Sequence, residues 1–467
     1  MSSRRSISCA GGFQRTLCVA FVALVVFTSC TRPRAAPPDI VVIVVDTLRA
    51  DRLGAYGNAR GLTPFLDQFA RRATRFTNAY AASSWTVPSV ASLFTARYPS
   101  QHLVNTFDTK LVDSEVTLAE RLTAQGYATG GVTANLRLTA PLGFGQGFAY
   151  WQPLLGSVGS PSKARGRLVR ARALAWLDGD GKPPPRPRFL YLQFMEPHPP
   201  FEPPAALRAR FAPDPHGIDA AEANRQVLSG DFTDVDEAQV RYLAQLYDAE
   251  VAAVDAELRT LFDALQARGA LDNAVVVITA DHGEEFREHG GLAHGLTLYN
   301  EVVHVPLLIA GPGIAAGRVI DMPVSLVDVA PTLLAIAGAA PEPRFEGRSL
   351  LPWLRADGAA APQSSDVLLQ LLPDGSLVDL HRHRAGLVRQ SAKVLVPLSG
   401  DLQHYDLATD PGEQQPNSDA ARTSAAGLGD ALQAATQRLA AHAQDAPARA
   451  PVDAATRERL RALGYQH

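Results

Sequence analysis

Three short runs of β-branched and aromatic residues limit what this chain can fold into, because each one ends in residues that carry chemistry. Asp39-Ile40-Val41-Val42-Ile43-Val44-Val45 runs into Asp46, Arg188-Phe189-Leu190-Tyr191-Leu192-Gln193-Phe194 into Met195-Glu196-Pro197-His198, and Ala274-Val275-Val276-Val277-Ile278-Thr279-Ala280 into Asp281-His282. A continuous apolar run of this length reads as a strand buried on both faces, the habit of parallel sheets covered by helices. Helical spacing is predicted over 63–72, 116–125, 238–268 and 326–336, and further strands over 128–133 and 303–312. The fold class that follows is α/β: a doubly wound, mostly parallel sheet flanked by helices. Ligands of open α/β sheets gather at the carboxyl ends of the strands, which is where Asp46, His198, Asp281 and His282 fall.

Beyond about residue 351 the pattern changes. Short strands predicted over 367–371, 385–389, 392–396 and 402–406, separated by turn residues, make a small antiparallel sheet, and a helix over 420–443 covers the fold. The chain is thereby divided into a leader (1–30), a Pro/Ala/Arg-rich linker (31–38), a catalytic domain (39–350), an antiparallel α+β subdomain (351–415) and a helical tail (416–467).

The leader carries Arg4, Arg5 and Arg15 ahead of an apolar run at 17–27, too short to span a bilayer comfortably and suited to a signal peptide. Phe27-Thr28-Ser29-Cys30 resembles a bacterial lipobox, so the expectation is export as a periplasmic or outer-membrane lipoprotein held to the membrane by a lipid anchor. All three cysteines, Cys9, Cys18 and Cys30, lie in this leader, which leaves the exported domain without an internal disulfide or a thiol nucleophile. A formal charge of −3 gives no case for nucleic acid as a partner.

The stretch Ser83-Ser84-Trp85-Thr86-Val87-Pro88-Ser89-Val90 continues into a helix-forming run that ends in Thr95-Ala96-Arg97-Tyr98-Pro99. Thr86 or Ser89 could serve there as a plain N-cap. Alternatively, Thr86 is a nucleophile presented at a helix N-terminus, where backbone N–H groups and the helix dipole favour an anionic ester.

This layout resembles the signature of the sulfatase family of the alkaline phosphatase superfamily, a resemblance that runs from about residue 38 into the C-terminal region. Glu346-Gly347-Arg348-Ser349-Leu350 closes the main domain as in that family, and Tyr405 to Glu413 is similar to its C-terminal signature, a turn and not a site. The resemblance implies one metal site made by Asp46, Asp281 and His282 with Thr86 as both ligand and nucleophile. It also implies that His198, in His198-Pro199-Pro200-Phe201, and His294 contact the transferred group or its leaving oxygen. His289 shares the glycine-rich loop with His294; His102 reads as structural.

Departures from the family pattern bear on the chemistry. Thr86 replaces the Cys or Ser that sulfatases oxidise to formylglycine, Val90 replaces the supporting Arg, and Thr47 stands where a second Asp is usual. His282 replaces an Asn and resembles the Asp-His pair of phosphonate monoester hydrolases and of threonine-nucleophile phosphotransferases, while His294 lies where sulfatases carry a Lys. Carboxylate and imidazole together suit Zn²⁺ or Mn²⁺, and the family adds Ca²⁺, so one divalent cation, or a pair, is expected. A threonine ester must be hydrolysed by attack on its central atom. The expected activity is therefore metal-dependent hydrolysis of sulfate or phosphate esters of a glycan, lipid or small molecule, with phosphate mono- and diesters favoured. The alternatives are a phosphotransferase acting on envelope glycans or lipids, and an inactive ester-binding lipoprotein.

Overall fold

A computed structural model describes residues 36–450 apart from 107, 155–163, 214–216, 230–234, 356–365, 373–382, 398–399 and 444–446. The leader with Cys30, most of the linker and the end of the helical tail lie outside the described residues.

In chain order the main strands are β1 (Asp39–Val45), β2 (Thr74–Tyr80), β3 (Ala128–Thr133), β4 (Tyr150–Pro153), β5 (Arg188–Phe194), β6 (Ala274–Thr279), β7 (Glu285–Phe286), β8 (Leu292–Ala293), β9 (His304–Ala310), β10 (Val319–Ile320) and β11 (Val324–Ser325). All but β7 and β8 join one sheet in the order β10-β2-β9-β6-β1-β5-β3-β4, with β11 also beside β2. β1 lies at its centre, parallel to both β5 and β6, with Ile43 opposite Leu192 on one side and Ile278 on the other. Every residue of β1, β5 and β6 is buried, as continuous apolar runs require. The fold is thus the expected α/β class with a mostly parallel sheet.

β9 alone runs against its neighbours β2 and β6. A parallel return would need a crossover along one face of the sheet. The antiparallel return keeps the whole connection from residue 280 to 303 at the edge where β6 ends. β2 was not foreseen from the sequence; its alternation of buried and partly buried residues lacks the continuous apolar signal.

The helix Glu237–Ala267 is unbroken over 31 residues, and Leu243, Leu246, Val251, Val254, Leu258, Leu261 and Leu265 on its inner stripe are all buried. Asp236 starts it with a reciprocal cap to Gln239. No helix among the described residues is long and apolar enough to cross a membrane.

The C-terminal strands β12 (Asp366–Gln370), β13 (His383–Arg389), β14 (Ala392–Pro397) and β15 (Gln403–Asp406) form an antiparallel meander. One face packs Val367, Leu369, Val388, Leu395 and Tyr405 with Tyr80, Leu298 and Val302 of the main domain. The other packs Leu368, Leu387 and Val394 with Leu428, Leu432 and Leu439. The helix expected over 420–443 is two, Asp419–Ser424 and Leu428–Ala440, because Gly427 at φ 75° takes the left-handed conformation between them.

Candidate active site

β1, β2, β3, β5 and β6 run in one direction, and five polar side chains lie at or after their carboxyl ends. Asp46 comes directly after β1, Thr86 after β2, Asn135 after β3, Gln193 at the end of β5 and Asp281 after β6. The chain turns sharply after Asp46: Thr47 has φ 58°, a costly conformation for a β-branched residue. The turn is held by the Tyr247 hydroxyl, which donates to the Thr47 carbonyl at 2.7 Å and accepts from the Arg49 N–H at 3.0 Å, and by the Thr47 N–H, which donates to Asp281 Oδ1 at 3.3 Å.

Thr86 is the first residue of a fully buried helix, Thr86–Thr95. Its Oγ1 lies 3.2 Å from His282 Nε2 and accepts from Asn135 Nδ2 at 3.3 Å. No side chain caps the helix at Trp85, and the Ser89 hydroxyl donates to the Asp281 carbonyl at 2.6 Å, so neither hydroxyl is spent as an N-cap. Val90, where the family carries Arg, is buried in the apolar core.

Asp46, Asp281 and His282 offer ligand atoms that all lie within 4.8 Å of one another, the one such cluster of His, Cys, Asp and Glu among the described residues. His282 Nδ1 donates to the Gly283 carbonyl at 2.9 Å, which fixes the tautomer and leaves Nε2 facing Asp46 Oδ1 and Asp281 Oδ2, each at 3.7 Å. Gly283 is needed at this turn, since a Cβ there would meet the Glu301 carbonyl oxygen at 2.0 Å. Asn135 and Gln193 both donate to Asp46 Oδ2, at 2.7 and 3.2 Å, and Gln193 also donates to Asp281 Oδ2 at 3.2 Å.

Asp46 Oδ1 is buried and has no hydrogen-bond partner among the described residues. Burial and the facing Asp281 carboxylate push the Asp46 carboxyl well above the ordinary range. Burial likewise pushes Asp281 up to about 7, against hydrogen bonds from backbone N–H groups. Burial, together with the nearby His294 and His198, holds the His282 imidazole well below its usual value and therefore neutral. Two buried carboxylates, a neutral imidazole nitrogen and an alcohol around an orphaned acceptor form a donor set that fits a divalent cation.

His198 and His294 line the same edge. His294 packs at a tilt against His282 and His198, with ring centroids 4.5 and 5.0 Å apart. His294 Nδ1 lies 3.0 Å from Glu284 Oε1; burial lowers its proton affinity, but the Glu284 carboxylate outweighs this and raises it. His198 Nδ1 donates to the Pro199 carbonyl at 2.7 Å.

His289 lies elsewhere, stacked on Tyr299 at 3.5 Å with Nδ1 2.6 Å from Glu301 Oε1. His102 packs against the helix Thr86–Thr95 with Nε2 3.1 Å from Ser92 Oγ, and burial pulls it down to about 3. Asn135, Gln193 and Glu284 were not singled out from the sequence. Gln193 had a signal, as the one uncharged polar side chain inside an otherwise apolar strand, and so did Glu284, beside Asp281-His282. Asn135 had none beyond following a strand.

Comparison with known proteins places the chain in a family. A family model described as Sulfatase matches residues 38–339. Arylsulfatase A of Homo sapiens is 32% identical over 364 residues, covering 71% of this chain and 70% of that protein. Among solved structures, the phosphonate monoester hydrolase of Agrobacterium radiobacter superposes with a TM-score of 0.69 at 23% identity, over 87% of this chain and 96% of the other. A protein solved with its substrate D-glucosamine-2-N,6-O-disulfate gives a TM-score of 0.68 at 20% identity, over 87% and 98%. Fold and relatives together define a hydrolase of the sulfate-ester class. The chain belongs to the sulfatase family of the alkaline phosphatase superfamily.

Proposed function

We propose that this member of the family is a metal-assisted hydrolase that cleaves anionic esters by attack of Thr86, with phosphate mono- or diesters favoured over sulfate esters. The observation that carries the reading is the position of Thr86 Oγ1, 3.2 Å from His282 Nε2 and beside the carboxylates of Asp46 and Asp281. A divalent cation held by Asp46, Asp281 and His282 would lower the pKa of the threonine hydroxyl and neutralise the ester oxygens.

The chain's own residues do the rest. Asn135 Nδ2, donating to Thr86 Oγ1, orients the oxygen lone pairs. Thr86 loses its proton to solvent and forms a bond to phosphorus or sulfur while the bond to the leaving oxygen breaks. His294, kept charged by Glu284, gives that oxygen a proton. His198, against the His294 ring, faces the same group. Water then attacks the central atom of the threonine ester: its hydroxyl stays on that atom, its proton restores the Thr86 hydroxyl, and the product released is the inorganic acid from a monoester or the remaining monoester from a diester. This second step favours phosphorus, because a threonine sulfate cannot discard sulfate by the carbon–oxygen cleavage open to a hydrated aldehyde. The likeness to a phosphonate monoester hydrolase supports phosphorus esters, and the neighbour bound to a sulfated glucosamine supports a glycan as the organic part. The reading includes export as an anchored lipoprotein, on the strength of the leader and Cys30.

The test is turnover of an aryl phosphate monoester, an aryl phosphate diester and an aryl sulfate by the full chain and by Thr86→Ala, with Zn²⁺, Mn²⁺ and Ca²⁺ each supplied. A phosphate ester should be preferred, and kcat should fall on the order of 10³-fold or more in Thr86→Ala. A sulfate preference that survives Thr86→Ala would sink the threonine mechanism.

A further inference from the structure

His294 follows directly on a short hairpin, β7 paired with β8, with Glu285 opposite Ala293 and Phe286 opposite Leu292. The position of the imidazole therefore depends on what holds the hairpin. Its far side is held from within by Glu285, whose Oε1 accepts from the N–H groups of His289 and Gly291 at 3.2 and 2.7 Å, and whose Oε2 accepts from Thr297 Oγ1 at 3.2 Å. Just beyond His294, the Gly295 N–H donates to the Ser84 carbonyl at 2.9 Å, which joins the loop to the segment leading into Thr86.

Within the main domain Arg49 Nη1 donates to the Glu284 carbonyl at 2.9 Å and to Glu288 Oε1 at 2.6 Å, and a further anchor comes from the C-terminal subdomain. His289, in the hairpin turn, donates from Nε2 to the Glu413 carbonyl at 3.0 Å, while Gln414 Nε2 donates to the Glu288 carbonyl at 3.2 Å. The other end of the loop is held by the same turn: Glu413 Oε2 accepts from the Asn300 N–H at 2.6 Å, and Asn300 Nδ2 donates to the Pro411 carbonyl at 3.3 Å. Glu413 is itself fixed by Lys393 Nζ at 2.7 Å, with neither side chain exposed, and Lys393 also donates to Asn300 Oδ1 at 3.0 Å. One turn at 410–414 thus grips the His294 loop before and after the imidazole.

We infer that this turn is a positioning element of the active edge, setting His294 through His289, and that His289 and Glu413 are positioning residues for proton delivery to the leaving oxygen. The inference rests on reading His294 as the proton donor. It assigns the resemblance at Tyr405 to Glu413 a part in the reaction that a plain turn would not have.

A proton donor matters most when the leaving oxygen is basic, so the experiment compares 4-nitrophenyl and unsubstituted phenyl esters of phosphate and of sulfate. His289→Phe keeps a ring to stack on Tyr299 and deletes the hydrogen bonds to Glu301 and Glu413; His289→Gln restores a donor. In His289→Phe, kcat for the phenyl ester should fall on the order of 10–100-fold while the 4-nitrophenyl ester changes by about twofold or less. The loss should be smaller in His289→Gln, and absent when His289→Phe is added to His294→Ala. An equal loss on both esters, or a further loss in the His294→Ala background, overturns the positioning role while leaving His294 as donor. If His294→Ala itself treats the two esters alike, the donor reading falls and the positioning role falls with it.

Discussion

Two of the buried clusters of charge among the described residues are balanced in opposite ways. Lys393 and Glu413 meet at 2.7 Å without any exposure, and the remaining polar atoms of the pair are engaged by Asn300. At the carboxyl edge of the sheet, Asp46 and Asp281 face each other among the neutral groups of His282, Thr86, Asn135 and Gln193, and the nearest cation, His294, lies against the His282 ring with its Nδ1 on Glu284. In both clusters burial works against ionisation, pulling Lys393 down and pushing Glu413, Asp46 and Asp281 up. The C-terminal cluster holds its counter-charge in direct contact, whereas at the sheet edge His294 is paired with Glu284 instead of with either aspartate. An edge that gathers negative charge and leaves Asp46 Oδ1 without a hydrogen-bond partner among the described residues is chemically suited to a cation, as the proposed function requires.

The largest effect expected from this contrast is on stability at the C-terminal pair. Lys393→Met leaves Glu413 buried without its cation and should cost about 3–5 kcal/mol, whereas adding Glu413→Gln should recover most of that. Urea unfolding of the single and double variants measures it; equal losses in both would show that the pair's charge is not what matters. The counterpart at the sheet edge is next in size. Zn²⁺ or Mn²⁺ at about a hundred times its dissociation constant should stabilise the metal-free protein by about 2.7 kcal/mol. Asp46→Asn should abolish that response and leave the metal-free protein no less stable, since it removes one of two facing carboxylates and keeps an acceptor for Asn135 and Gln193. Thermal melts with and without the ion decide it, and a metal response retained in Asp46→Asn would move the site elsewhere.

What could be read from the sequence divides along the same line. β1, β5 and β6 announce themselves by unbroken apolar runs, and the residues after them fall at one edge because parallel strands share a direction. That placed Asp46, His198, Asp281 and His282 without any coordinates. The resemblance to a known signature was needed to bring Thr86 to the same edge, since β2 reads as an ordinary alternating segment. Asn135 and Gln193 act on Asp46 from residues 89 and 147 positions away, and no local pattern records such contacts. The same holds for His289 and Glu413, 124 positions apart. A lone imidazole in a glycine-rich loop looks like a surface residue until the C-terminal turn is folded against it.

Between the two clusters stands Glu285, and its titration gives the smallest of these effects. Burial pushes its carboxyl from the ordinary range near 4.5 up to about 7, and the carboxylate of Glu301 adds to the push. Other charges on the hairpin and the elements packed around it are His289, which Glu301 raises against the effect of burial, and the pairs Arg49–Glu288, Arg287–Glu237, His294–Glu284 and Lys393–Glu413. A native carboxyl that binds its proton more tightly than the unfolded one contributes stability that is complete below about pH 4.5 and is lost as pH rises through about 7. In Glu285→Gln the amide oxygen can still accept from the His289 and Gly291 N–H groups, and its nitrogen can donate to Thr297, while nothing titrates. Urea unfolding of the wild type relative to Glu285→Gln should therefore show a difference that grows by on the order of 1–3 kcal/mol between pH 4.5 and 8, with the wild type the weaker at the upper end. Parallel stability curves would mean that Glu285 stays charged where it is buried. The hairpin that carries His294 would then be held by charge at both ends, and the contrast between the two clusters would not extend across it.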